Sequence, residues 1–471
     1  MKTKLHSLLL ILPLLLQGCN TSRDTANETP NIIYIMADDL GYGDIGAFGQ
    51  KIIETPGLDQ LAREGIIFTD HYAGNTVCAP SRCSLMTGKH PGHAIVRGNM
   101  QYPPSGQLPL PEGTVTVSSL LRSAGYTTGM IGKWGLGNIG NSGDPANFGW
   151  DFYYGYLDQV LAHNYYPEFL YKNGEKVYLD NEVKYLADTF WHKGLGSYST
   201  VQNDYSHDLF TVEALNFIEK NKEGPFFLYL PYTIPHDNGE APAGEKQEVP
   251  DQGIYSSRDD WDNESRGYAA MITLMDHDIG KIVELLKSLE IEKNTLVIFT
   301  SDNGPMPDQE FTERFDSNGP LKGGKRDMYE GGIRIPFVAW WPGSIEAGRK
   351  SDHISAFWDF LPTACEIAGI DSPPETDGIS YLPELLGKSQ EKHDYLYWES
   401  PLQGFMTAVR AGKWKAVQPG FNKPLELYNL ETDIGEDINL ASERKDIMKR
   451  MANIIQEAHS PSEYFPRPDE E

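Results

Sequence analysis

The apolar runs of this chain stop abruptly, and the residues at which they stop carry most of the information. "NIIYIMADD" (31–39) is nearly unbroken apolar sequence closed by two carboxylates. A run this short and without alternation predicts a strand buried on both faces, as in a parallel sheet. "NTLVIFTSDNG" (294–304) repeats the pattern and closes on an acid and an amide. "YTTGMIGKWG" (126–135), "GPFFLYLPYTIPH" (224–236) and "IPFVAWWPG" (335–343) predict further strands. Between them the apolar spacing becomes helical. "TPGLDQLAREG" (55–65) and "TVSSLLRSAG" (116–125) predict short amphipathic helices closed by glycine. Ser265–Leu289 predicts a long helix and "SAFWDFLPTACEIAG" (355–369) another. This alternation predicts an α/β fold, a mostly parallel central sheet with helices on both faces.

Two segments depart from the pattern. From about residue 385, "DYLYWES", "MTAVRAGKWKAVQ" and "PLELYNLETD" predict short antiparallel strands, with a last helix near Lys445 to Ala458. At the other end, "MKTKLHSLLLILPLLLQGCN" has two lysines and an apolar run too short to span a bilayer, which reads as an export signal. Its ending, Leu16-Gln17-Gly18-Cys19, resembles a bacterial lipobox, in which the cysteine is lipidated; a plain signal peptide with a chance cysteine is the alternative. The expected organisation is a signal peptide over 1–18, a tether over 19–29, a main domain over 30–385 and a C-terminal antiparallel subdomain over 386–471. The expected location is the periplasm or cell surface of a bacterium, with membrane contact through the lipid anchor only.

Charge narrows the partners. With 67 acidic and 40 basic residues the net charge is −27, which argues against nucleic acid and anionic lipid surfaces. Any lysine, arginine or histidine cluster is therefore informative. Apart from Cys19 there are three cysteines, Cys78, Cys83 and Cys365, an odd number that builds no disulfide framework.

The strand ends hold Asp38, Asp39, Lys133, His236, Asp302 and Asn303. The C-terminal edge of a parallel sheet is where ligands bind, so these separate segments are expected to converge. The acids and the amide offer oxygen ligands suited to Ca²⁺ or Mg²⁺; taken singly, each pair equally suits a turn or helix cap. "CAPSRCSLMTG" (78–88) puts Pro80 in a first helical turn and Cys78 at the positive end of the helix. That position suits a thiolate nucleophile or a buried structural cysteine.

Cys78-Ala79-Pro80-Ser81-Arg82 resembles the C-x-P-S-R motif of type I, formylglycine-dependent sulfatases. "NIIYIMADDLGYGD", "GYTTGMIGKW", "SDNG", "GGKRDMYEGGIRIP" and "LYNLETDIGEDINLA" resemble the family's other blocks, in its order and over nearly the whole chain. "GKWGLG" and "YLDQVLAHNYYP" look most like the bacterial polysaccharide-degrading branch. The resemblance implies an alkaline-phosphatase-like fold and conversion of Cys78 by a maturation enzyme to formylglycine, an aldehyde whose hydrate carries two hydroxyls. One hydroxyl would attack sulfur, and loss of the other's proton would expel sulfate. It further implies Ca²⁺ ligation by Asp38, Asp39, Asp302, Asn303 and the modified Cys78. Arg82 would steady that cluster, Lys133 and Lys325 would bind sulfate, and His236 would contact it and protonate the leaving oxygen. Arg326, beside Lys325, joins the expected substrate contacts. The implied substrates are sulfated galactans, carrageenan-like glycans or glycosaminoglycan saccharides. A phosphate or phosphonate ester hydrolase and a non-catalytic sulfated-glycan-binding relative are the alternatives.

One position departs from the family. Where it usually has histidine two residues after the lysine, this chain has Gly135. His163 is the first expected substitute and His93 the second. In "HAIVRGN" (93–99), His93 and Arg97 suit either sugar contact or, for Arg97, a loop anchor. "MDHDIG" (275–280) looks metal-like, but residues two apart on a helix diverge, which predicts a solvated face. The aromatic segment from Asn164 to Thr200, with Trp191, suits a sugar-stacking wall or a half-buried hairpin.

Overall fold

The run "NIIYIMA" forms strand β1 (Asn31–Ala37), buried along its whole length. It lies inside a ten-stranded sheet. The computed structural model describes residues 29–100, 107–186 and 196–470; the leader, Cys19 and Trp191 lie outside the described residues. In chain order the other strands of this sheet are β2 (Ile66–Phe68), β3 (Thr127–Lys133), β4 (Phe152–Tyr156), β5 (Phe169–Lys172) and β6 (Glu175–Tyr178). They continue with β7 (Phe226–Pro231), β8 (Thr295–Ser301), β9 (Phe337–Trp340) and β10 (Arg349–Ser351). The spatial order is β10-β2-β9-β8-β1-β7-β3-β4-β5-β6. The central strands β8, β1, β7, β3 and β4 are all parallel. β9 and β5 run antiparallel beside them.

Alternation along β1 divides the core between the two faces of the sheet. Ile33 and Ile35 pack with residues of helices α1 (Pro56–Glu64), α4 (Ser206–Asn221) and α5 (Asn263–Ser288). Ile32, Tyr34 and Met36 pack with residues of α2 (Cys78–Thr87), α3 (Val117–Ser123) and α6 (Phe360–Ala368). Covering both faces is what makes the strands read as continuous apolar runs.

The C-terminal sheet is antiparallel, in the order β11 (Leu396–Ser400), β12 (Met406–Ala411), β13 (Trp414–Gln418) and β14 (Glu426–Asn429). Helix α7 (Lys445–Glu457) lays Met451, Ile454 and Ile455 on it. Buried ion pairs join this sheet to the rest: Arg97 to Glu399 at 2.5 Å, Arg410 to Asp70 at 2.5 Å and Lys415 to Glu330 at 2.8 Å.

"MDHDIG" corrects an expectation. Asp276 and Asp278 are each 1% exposed rather than solvated. Asp276 accepts from the backbone N–H groups of Gly57 and Leu58 at the start of α1, at 2.9 and 2.6 Å. Asp278 accepts from Thr211 Oγ1 at 2.6 Å and faces His207 at 3.2 Å. Both acids serve helix packing on this face, where two neighbouring helices supply their donors. Among the described residues, no helix is long and apolar enough to cross a membrane.

Candidate active site

The parallel register brings the ends of β8, β1 and β3 side by side, so Asp302-Asn303, Asp38-Asp39 and Lys133 meet at one edge. His236 arrives on the segment after β7, between them. Asp39 holds φ at +62°, a left-handed turn that Asp tolerates better than most residues.

Cys78 is the first residue of α2, with Pro80 in the first turn. A proline there forfeits only an N–H that has no helical partner in any case. The Ala79 N–H is taken by Asn99 Oδ1 at 3.0 Å. Cys78 is 2% exposed, and its Sγ lies 3.3 Å from Asp38 Oδ1. Burial pushes the Cys78 thiol up to about 12, and Asp38 adds to the rise. A resting thiolate is therefore disfavoured here, which weakens the plain cysteine-nucleophile reading.

One turn along α2, Arg82 is fully buried. Its guanidinium donates to Asp302 Oδ2 at 2.9 Å, Asp38 Oδ2 at 3.2 Å and the Lys133 carbonyl at 2.7 Å. Lys133 Nζ donates to Asp38 Oδ2 at 2.7 Å. Lys325 Nζ donates to Asp39 Oδ2 at 2.6 Å and to His236 Nε2 at 2.9 Å. His236 Nδ1 lies 2.6 Å from the Asp237 carbonyl, to which it can only donate, so Nε2 carries the lone pair toward Lys325.

Electrostatics follow from this packing. Burial acts to raise Asp38, but Lys133, His236 and Arg82 outweigh it and hold the carboxyl well below the usual range. Burial pushes Asp302 up to about 7, with Asp38 reinforcing the rise. Burial and then Lys325 hold His236 well below the usual imidazole range.

The oxygen donors suit a hard divalent cation. One donor atom each from Asp38, Asp39, Cys78 and His236 falls within a 4.8 Å span. Asn303 donates from Nδ2 to Asp39 Oδ1 at 2.7 Å, while its own Oδ1 is buried with no hydrogen-bond partner among the described residues. An unpartnered buried amide oxygen beside two carboxylates fits a Ca²⁺ ligand set.

Cys78, Lys325, His236, His163 and Arg326 line one pocket of about 550 Å³. His163 stacks on His236 with ring centroids 4.6 Å apart, and its Nδ1 pairs with Glu240 at 2.9 Å. The structure places His93 and Arg97 elsewhere. His93 pairs with Asp377 at 2.9 Å, beyond the far end of α2. Arg97 is 3% exposed and anchors Glu399 and the Ser460 carbonyl, a loop anchor rather than a sugar contact. Asn99, Gln159, Glu240 and Leu402 are among the pocket residues that sequence reasoning missed. Gln159 and Glu240 follow β4 and β7, so the strand-end rule could have found them. Leu402 comes from the connection between β11 and β12, and nothing local signals it.

Known proteins are similar to this chain. Residues 30–370 match the sulfatase family model, and residues 323–460 match the C-terminal model of N-sulphoglucosamine sulphohydrolase. The chain is 32% identical to mouse N-acetylgalactosamine-6-sulfatase over 463 residues, covering 94% of this chain and 82% of that one. It is 28% identical to the N-acetylgalactosamine-6-O-sulfatase of Bacteroides thetaiotaomicron, covering 94% and 96%. The crystal structure of Ps i-CgsB is similar with a TM-score of 0.79 at 30% identity, covering 94% of this chain and 96% of that one. The same protein has been solved in complex with k-i-k-neocarrahexaose.

Proposed function

The chain belongs to the sulfatase family and is a sulfuric ester hydrolase; we propose that it removes sulfate from carbohydrates, with Cys78 as precursor of a formylglycine nucleophile. The observation that carries this reading is the gathering of two buried ammonium groups, Lys133 and Lys325, around Cys78 and four oxygen-bearing side chains. In a protein of net charge −27, such a site is where an anionic ester would bind.

Asp38, Asp39, Asp302 and Asn303 would hold Ca²⁺ together with the modified Cys78. When present, formylglycine supplies a hydroxyl nucleophile, and Ca²⁺ offsets negative charge beside it. The chain's own residues do the rest. Arg82 clamps Asp38 and Asp302 and so fixes the ligand geometry. Lys133 and Lys325 are the donors for oxygens that gain charge as sulfur is attacked. His236 lines the pocket with its Nε2 accepting from Lys325 Nζ at 2.9 Å, so a proton for the leaving sugar oxygen would be relayed from Lys325 through Nε2. His163 holds the plane of that ring by stacking, and Glu240 holds His163.

A sulfated saccharide is the substrate the comparisons favour: galactosamine 6-sulfatases are relatives, and Ps i-CgsB binds a carrageenan oligosaccharide. The pocket suits such a ligand, with Asn99, Glu240 and Arg326 for hydroxyls and sulfate and Leu402, Met306 and Val160 for apolar ring faces. Leu16-Gln17-Gly18-Cys19 supports export as a lipoprotein over residues 1–18 and 19–29. The resemblance at Cys78 supports a formylglycine-generating partner. Matched sulfate and phosphate esters of the same sugar test the reading. Sulfate release is expected to exceed phosphate release, and the reverse preference would sink it.

A further inference from the structure

At position 135, where the family usually has histidine, a side chain from the segment after the neighbouring strand occupies the space. Gly135 has φ +74°, in the left-handed region. A Cβ on it would lie 2.9 Å from Gln159 Nε2 and 3.5 Å from Arg82 Cδ. Topology explains the encounter. β3 and β4 are parallel neighbours, so the segments after them run side by side, with the Gly135 N–H donating to the Leu157 carbonyl at 3.2 Å. Gln159 is fixed by its own N–H, which donates to Gln107 Oε1 at 3.0 Å.

Gln159 is 6% exposed and lines the same pocket as Cys78, His236 and Lys325. Its Nε2 is buried without a hydrogen-bond partner among the described residues, and so is Nε of Arg82. A buried donor left unpaired costs about 1–3 kcal/mol. Gln159 Nε2 stands on a pocket that Lys325 and Arg326 also line, so it calls for an acceptor, and beside these two cationic side chains that acceptor is an anionic oxygen. We propose that Gln159 is a substrate-binding residue whose Nε2–H donates to a sulfate oxygen from the space a side chain at position 135 would fill. This rests on the sulfatase reading. A carboxamide neither takes up nor loses a net proton near neutral pH, so Gln159 positions the sulfate and takes no part in acid–base steps.

The test uses the full chain carrying Cys78→Ser, with calcium present, and titrates inorganic sulfate by calorimetry. Gln159→Met keeps the shape and removes both donors; Gln159→Glu keeps the shape and adds a negative charge. The Met variant is expected to bind sulfate about ten- to a hundredfold more weakly. Its Tm without sulfate is expected to stay level or rise, because an unpaired donor has gone. The Glu variant is expected to lose sulfate binding. If both variants bind as the parent does, or if the Met variant loses Tm and keeps its affinity, Gln159 is structural and the proposal is overturned. A folded parent that binds no sulfate overturns the reading of this pocket as the sulfate site.

Discussion

At the scale of single residues, the site is a balance of buried charges of both signs. Asp38 alone meets Arg82 and Lys133 within 3.2 Å. Lys133→Ala is therefore expected to lower kcat/KM on a sulfate ester by about 10²–10³, the usual loss when a donor to developing charge is removed. Steady-state kinetics would show it, and an unchanged kcat/KM would remove Lys133 from the sulfate-binding set. Arg97→Ala is expected to leave kcat/KM within about threefold and to lower Tm, since Arg97 ties Glu399 rather than substrate. The strand-end residues were legible because a parallel sheet presents one edge to ligands. His93 and Arg97 misled because they are close to Cys78 in sequence. α2 lies between them, and its ten residues span about 15 Å.

At the scale of elements, a carboxylate that looked solvated holds two helices together. Asp276 on α5 receives the first free N–H groups of α1. Asp276→Ala is expected to cost about 1–3 kcal/mol, measurable by urea unfolding. Burial pushes this carboxyl up to about 6, against the opposing pull of the Leu58 and Gly57 N–H groups. The folded chain thus binds the proton more tightly than the unfolded chain, whose value is near 3.8. Its contribution to stability is complete below about pH 4 and is lost as pH rises through about 6. Asp276→Asn is expected to flatten the change of Tm over that window; an unaltered profile would reject the assignment. The strands and helices were legible from period and punctuation. The role of Asp276 was not, because its donors stand more than two hundred positions away in the chain.

At the scale of the molecule, the C-terminal sheet is joined to the main sheet through charge. Lys415 is fully buried between Glu330 at 2.8 Å and Glu436 at 3.3 Å. Lys415→Met would take the cation from Glu436 and from one oxygen of Glu330, whose other oxygen keeps Arg334 and Tyr72, and is expected to cost about 3–5 kcal/mol. Scanning calorimetry with both sheets in place is expected to show a lowered Tm, and no change would mean that the junction depends on packing alone. The antiparallel strands were readable as short runs separated by turns. Where they dock was not, because lysine on a strand ordinarily predicts solvent. In a chain of net charge −27, the basic residues that are buried stand at two places, Arg82, Lys133 and Lys325 at the site and Arg97, Arg334, Arg410 and Lys415 at the junction.

The central claim concerns what Cys78 becomes. The most direct measurement sets sulfate release from a defined sulfated saccharide against the fraction of Cys78 peptide found about 18 Da lighter, the mass lost when thiol becomes aldehyde. Preparations with different extents of maturation are expected to release sulfate in proportion to that fraction, with a line through the origin and none from Cys78→Ala. Full sulfate release from chains whose Cys78 is unmodified would contradict the account.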